Sequence, residues 1–199
     1  MLLVKRLYRK IFRKGQNPRD ILLRKMPKNS ICAEIGVYKG NFSAKIIEVV
    51  QPAKLHLIDP WIYEEEDTYK TSLYGGQKGK NQENMDNIYQ SVKERFQDQI
   101  NPNRIVVHRS TSLQTAEQFE DNYFDWVYID GNHLYEFVKK DLETYYKKVK
   151  AGGYITGDDY GATQMWWEDG VKKAVDEFRA KSSCKTVLIQ GGQFILQKL

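Results

Sequence analysis

Ile31-Cys-Ala-Glu-Ile-Gly-Val-Tyr-Lys-Gly40, followed by Asn41-Phe-Ser-Ala-Lys-Ile-Ile-Glu-Val-Val50, decides the fold. A short apolar run stops at Gly36, and from Phe42 the apolar residues recur at helical spacing, so the segment reads as strand, turn, helix. The pattern repeats outward. Leu55-His-Leu-Ile58 is a second strand closed by Asp59-Pro60, and a charged helix covers 82–98. Ile105-Val-Val107 is a third strand, Leu113 to Phe119 a short helix, Phe124 to Ile129 a fourth strand, and Tyr135 to Val149 a helix. Tyr154-Ile-Thr156 is a fifth strand and Gly170 to Ala180 a helix. Thr186–Gln190 and Gln193–Gln197 flank Gly191-Gly192, the pattern of an antiparallel hairpin. Strand and helix in alternation predict an α/β, doubly wound, mainly parallel sheet with helices on both faces and a C-terminal antiparallel hairpin. Residues 60–80 exceed the usual connection length and are expected to form a functional loop or lid.

The 199 residues suit one domain with an appendage. No apolar run reaches the ~20 residues of a membrane-spanning helix. Two cysteines, Cys32 and Cys184, are too few for a disulfide framework, and the N-terminus has no secretory pattern, so a cytoplasmic protein is expected. The net charge of +5 hides an asymmetry: residues 1–28 carry +9 and residues 29–199 carry −4. Leu3, Val4, Leu7, Tyr8, Ile11 and Phe12 fall opposite Lys5, Arg6, Arg9, Lys10, Arg13 and Lys14 on a helix. We read residues 1–28 as a basic amphipathic arm and 29–199 as the folded domain. A helix docked on the body or on a second subunit is favoured for the arm over peripheral contact with a membrane by residues 1–14. Asn17-Pro18 starts a second short helix that Pro27 ends.

In such a sheet ligands bind at the carboxyl ends of the strands, near the switch point. Gly36 permits close backbone approach there and Gly40 precedes the next helix. Glu34 argues against a phosphate loop and for a ligand carrying a cation or hydrogen-bond donors. Asp59, ending the second strand, suits two ribose hydroxyls; the plainer reading is a turn aspartate before Pro60. One of Ser110, Thr111 and Ser112 is expected to cap a helix, and an adenine contact there, at Ser112, is the second expectation. Asp130-Gly-Asn-His133 and Asp158-Asp-Tyr-Gly161 end adjacent strands, so Asp130, Asp158 and Asp159 are expected together. Three close carboxylates repel unless a cation intervenes, and oxygen donors select a hard one, Mg²⁺ first, with Mn²⁺ and Ca²⁺ as alternatives. Capping accounts for one of these aspartates more readily than for three. His133 lies at the rim, and the near-neutral intrinsic pKa of histidine makes it a candidate base.

Glu34 to Gly40, Leu57-Ile-Asp59, Tyr128 to His133 and Gly157 to Gly161 together resemble a class I S-adenosylmethionine-dependent methyltransferase. More narrowly, they are similar to the metal-dependent macrocin- and mycinamicin-type sugar O-methyltransferases. The resemblance covers residues 30–198 and implies a Rossmann-like fold. It also implies that Glu34, Gly36, Gly40, Asp59 and Ser112 border the cofactor, that Asp130, Asp158 and Asp159 ligate the metal, and that His133 with Asp130 serves catalysis. The antibiotic enzymes' long N-terminal region has no counterpart in this pattern, and residues 60–100 are expected to supply a lid in its place. The expected acceptor is a hydroxyl of a sugar, polyol or related small molecule, the expected assembly a homo-oligomer, and a nucleic-acid partner is not expected. A non-catalytic adenosine-cofactor protein docking on an anionic surface through the arm is the competing reading, and a nicotinamide-dependent dehydrogenase is a third.

Overall fold

The computed structural model describes residues 17–76, 81–162 and 165–199. The amphipathic segment 1–14 lies outside the described residues. Alternating apolar positions build five parallel strands: β1 (Ile31–Ile35), β2 (Lys54–Asp59), β3 (Ile105–Arg109), β4 (Phe124–Ile129) and β5 (Val149–Gly157). The hairpin β6 (Cys184–Gln190) and β7 (Gln193–Lys198) closes the sheet, with β7 antiparallel to β5. Strand order is β3-β2-β1-β4-β5-β7-β6, so the order reverses between β1 and β4.

Side chains of each strand divide between two cores, as a period of two requires. Trp126 and Tyr128 point to one face with Cys32, Leu55 and Leu57. That face is covered by α1 (Pro18–Leu23), α2 (Asn41–Val50) and α3 (Gln82–Arg95), through Leu22, Ile46, Val50, Met85 and Val92. Val127 and Ile129 point to the other face, which α6 (Tyr135–Lys148) and α7 (Gly170–Lys181) cover with Val138, Leu142, Val171, Val175 and Phe178.

Some boundaries differ from the sequence reading. The charged helix breaks at Phe96, whose φ of −110° separates α3 from the single turn α4 (Gln97–Ile100). Helix α5 is Ser112–Ala116, and Thr111 caps it, its side chain accepting from the Gln114 N–H. Strand β5 starts at Val149, where α6 has just ended at Lys148, and continues through Gly152-Gly153 to Gly157. Segment 60–76 holds one 3-10 turn, Asp67–Tyr69, and an isolated bridge from Glu64 to Gly75.

Residues 17–28, grouped with the arm on charge, pack into the body. Asn17 caps α1, Pro18 stands in its first turn, and Leu22, Leu23 and Met26 are buried against the α2 side of the sheet. Pro18 sits so close to Gly191 that a Cβ there would lie 2.5 Å from its ring.

Candidate active site

Parallel register sets the site. Ile35 pairs with Ile58 and Ile129, and Ile129 with Gly157, so the next residues, Gly36, Asp59, Asp130 and Asp158, share one edge at the reversal of strand order. Gly36 has φ +88°, and a Cβ on it would stand 2.0 Å from the Asp130 carbonyl oxygen, so no other residue fits. Gly40 also has a left-handed φ, +69°, but it faces the Phe96 ring and lies outside the cavity lining.

Two connected cavities open on this edge and share Gly36, Gly131, Ser72, Tyr74 and Trp166. The larger, about 700 Å³, is bordered by Glu34, Arg19, Asp130, His133, Asp159 and Trp167. The smaller, about 180 Å³, is bordered by Asp59, Ser112, Asp141, Asn132 and Phe137.

Glu34 is 1% exposed and accepts a hydrogen bond from Ser43 Oγ at 2.5 Å. Burial pushes its carboxyl up to about 8. A nearby cation would favour its ionised form, so the residue fits the ammonium end of a cofactor. Asp59 is fully buried and accepts from the backbone N–H groups of Val37 (2.9 Å), Tyr38 (2.9 Å) and Trp61 (2.8 Å), and from the Tyr74 hydroxyl. Burial raises its pKa and these donors oppose the rise. Tyr38 (φ +49°) and Trp61 (φ +45°) are both left-handed, which is costly for aromatic residues, and the shared carboxylate holds them there. Asp59 therefore ties the turn after β1 to the segment after β2, and its expected ribose contact competes with Tyr74. Ser112 Oγ donates to Asp141 Oδ1 at 2.5 Å, and burial raises the Asp141 carboxyl to about 7.

On the other side, His133 Nε2 lies 3.3 Å from Asp130 Oδ1 and 3.3 Å from Asp159 Oδ2. Its ring packs on Trp167 with centroids 4.4 Å apart. Asp159 is itself left-handed, φ +58°, and burial raises its carboxyl while His133 lowers it. Asp158 is held by other partners on one oxygen: its Oδ1 accepts from the Asp159 N–H and from Gln193 Nε2.

Sequence reasoning did not anticipate Arg19. From the first turn of α1 its Nη2 reaches Asp130 Oδ2 at 2.7 Å and its Nε reaches Asp158 Oδ2 at 2.8 Å. The guanidinium lies over the Phe42 ring, 5.0 Å from its centroid. Nothing local signals this contact, which joins residues 139 positions apart. Tyr74, Trp166 and Trp167 were also missed; all three come from aromatic-rich irregular segments.

The aspartates thus meet a cation already present in the chain. Among the described residues one group of three has metal-ligating atoms within 4.8 Å of one another: Asp130, His133 and Asp159. Asp158 is outside it. With Arg19 on Asp130 and Asp158, the all-carboxylate donor set that a hard cation prefers is not assembled.

Known proteins give a consistent frame. A family model described as a methyltransferase domain matches residues 33–160. An uncharacterized protein of Acanthamoeba polyphaga mimivirus, R132, is 42% identical over 59 residues, 30% of this chain. The chain covers 26% of that viral protein's length. The O-methyltransferase TomG of Streptomyces achromogenes, solved with S-adenosylmethionine, superposes with a TM-score of 0.61 at 15% identity, covering 91% of this chain and 77% of that one. A Bacillus cereus O-methyltransferase, solved with S-adenosylhomocysteine, superposes with a TM-score of 0.61 at 12% identity over 99% and 88%. These likenesses show the shared fold. Because the family model spans well over half of the chain and runs from β1 through the turn after β5, this protein belongs to the methyltransferase domain family.

Proposed function

We propose that the chain transfers a methyl group from S-adenosylmethionine to a hydroxyl of a sugar or polyol in the cytoplasm, as in the macrocin- and mycinamicin-type enzymes its motifs resemble. The observation that carries this reading is His133, set between Asp130 and Asp159 in a cavity that also reaches Glu34 and Gly36. When bound, S-adenosylmethionine would supply an electrophilic methyl group on its sulfonium sulfur. Glu34 would hold the ammonium end, Gly36 would let the chain approach, and Ser112 and Asp141, on the smaller cavity, would border the adenine end. Asp59 would take the ribose hydroxyls if the Tyr74 hydroxyl gave way. His133 directs its Nε2–H to Asp130 and Asp159, which leaves Nδ1 to accept the acceptor's hydroxyl proton, and the two carboxylates stabilise the resulting cation. Trp166, Phe42 and Met165 give the larger cavity apolar faces beside its carboxylates, a combination that suits the mixed polar and C–H surface of a sugar.

Dependence on Mg²⁺ or Mn²⁺ bound by Asp130, Asp158 and Asp159 is the second form of this reading. The close approach of Asp130, His133 and Asp159 favours it, and it requires Arg19 to leave both of its carboxylates.

Full-length protein incubated with methyl-labelled S-adenosylmethionine and a panel of sugars, polyols and phenols tests the proposal. Label in a sugar or polyol methyl ether is expected. Label confined to phenols overturns the acceptor class, and absence of S-adenosylmethionine binding by calorimetry overturns the reading as a whole.

A further inference from the structure

We infer that Arg19 is the resident cation of the acid cluster, a positioning residue that stands where a divalent ion would otherwise be needed, so that this chain works without metal. The inference rests on the methyl-transfer reading for its meaning, but its principal test does not depend on that reading.

Three observations carry it. Arg19 bridges both strand-end aspartates, Asp130 after β4 and Asp158 after β5: Nη2 donates to an oxygen of each, and Nε donates to Asp158 as well. These two side chains are 17% and 13% exposed, so water alone would screen their mutual repulsion poorly. The guanidinium lies over the Phe42 ring, and Arg19 is fixed in a helix start that Asn17 caps and that the buried Leu22 and Leu23 anchor to the body. Finally, Arg19 leaves Asp130 Oδ1 free to face His133 while occupying Oδ2. The planar guanidinium spans one oxygen of each aspartate, a directional arrangement that a spherical ion shared among all the carboxylates would not impose. Arg19 therefore orients the base through Asp130 rather than touching the acceptor.

The consequence is a competition between guanidinium and metal for the same oxygens. Mn²⁺ alone, titrated into full-length protein without cofactor or acceptor and followed by electron paramagnetic resonance, reads it directly. Wild type is expected to bind Mn²⁺ weakly. Arg19→Ala is expected to bind at least about tenfold more tightly, because it leaves partly buried like charges unpaired. Arg19→Lys, which keeps a cation, should stay near wild type, and adding Asp158→Asn to Arg19→Ala should remove the gain. Circular dichroism confirms that each variant folds, with Arg19→Gln standing in for Arg19→Ala if the latter does not. Methyl transfer by wild type is expected to persist in EDTA. Equal Mn²⁺ binding by wild type and the neutral Arg19 variant, at any affinity, overturns the inference, as does tight binding by wild type. Loss of methyl transfer under all conditions, with the Mn²⁺ difference intact, would instead count against the methyl-transfer reading.

Discussion

Glu34 and His133 ask for different things of their surroundings, and each gives a measurable consequence. Burial keeps Glu34 protonated in the free protein up to about pH 8, since its hydrogen bond to Ser43 only partly offsets desolvation. An ammonium arriving beside it reverses that balance. Binding of S-adenosylmethionine at pH 7 is therefore expected to release close to one proton from Glu34, measured as a dependence of the calorimetric enthalpy on the buffer's ionisation enthalpy. Glu34→Gln should abolish that release, and a wild-type release unchanged in the variant removes Glu34 as the ammonium partner. For His133, contact with Asp130 and Asp159 at 3.3 Å each suits transient protonation. His133→Ala is expected to slow single-turnover methyl transfer by ~10²–10⁴ while leaving cofactor affinity unchanged. Asp59 behaves differently from a pure ligand residue. Removing its carboxylate strands three backbone N–H donors, so Asp59→Ala should lower folding stability by ~1–3 kcal/mol in urea titrations made without cofactor.

At the scale of elements, helix α1 is the clearest case of what charge statistics conceal. Residues 17–28 share the positive charge of the segment before them, yet Leu22, Leu23 and Met26 are 0%, 1% and 5% exposed. Each side chain of this size contributes ~1.5–3 kcal/mol when buried. A chain beginning at Asn29 should therefore lose several kcal/mol and the Arg19 contacts together, whereas one beginning at Asn17 keeps every contact described; chemical denaturation of the two separates them. The strands, by contrast, were legible because their apolar runs end in Gly36, Asp59, Asp130 and Asp158, and parallel register then placed those ends side by side. Legibility failed where the determinant is long-range. Arg19 reaches Asp158 across the whole domain, and Tyr74 reaches Asp59 from an irregular segment whose path no periodicity describes. The break at Phe96 was hidden for a related reason: its ring fills the space against Gly40, and that packing outweighs the helical pattern around it.

Across the whole molecule, buried titratable groups on both faces of the sheet set how stability varies with pH. His56 Nδ1 lies 2.9 Å from His108 Nε2 and is ringed by Phe119, Tyr123 and Phe124. Burial, with His108 and Lys54 nearby, lowers it to about 3, and burial lowers His108 as well. For both, the unfolded chain binds protons that the folded protein refuses, so stability falls as pH drops below about 6.5 toward 3. Glu34 and Asp141 act in the opposite sense, raised to about 8 and about 7 from ordinary carboxylate values. Their contribution is complete below about pH 4 and is lost as pH rises through 7 and 8, because the unfolded chain has by then released protons that the folded protein still holds. Each such group contributes a slope of about 1.4 kcal/mol per pH unit within its window. Between pH 4.5 and 6.5 the histidines and carboxylates oppose one another and the curve should be shallow; from pH 6.5 to 8 only the carboxylates act. The cofactor-free protein is therefore expected to lose thermal stability from pH 6.5 to 8.5, and Asp141→Asn, which keeps an acceptor for Ser112, should remove about a third of that decline, the part below and around pH 7. A wild-type melting temperature that is flat or rises across this interval would show that the two buried carboxyls are ionised at little cost, and would remove the basis for proton release on cofactor binding as well.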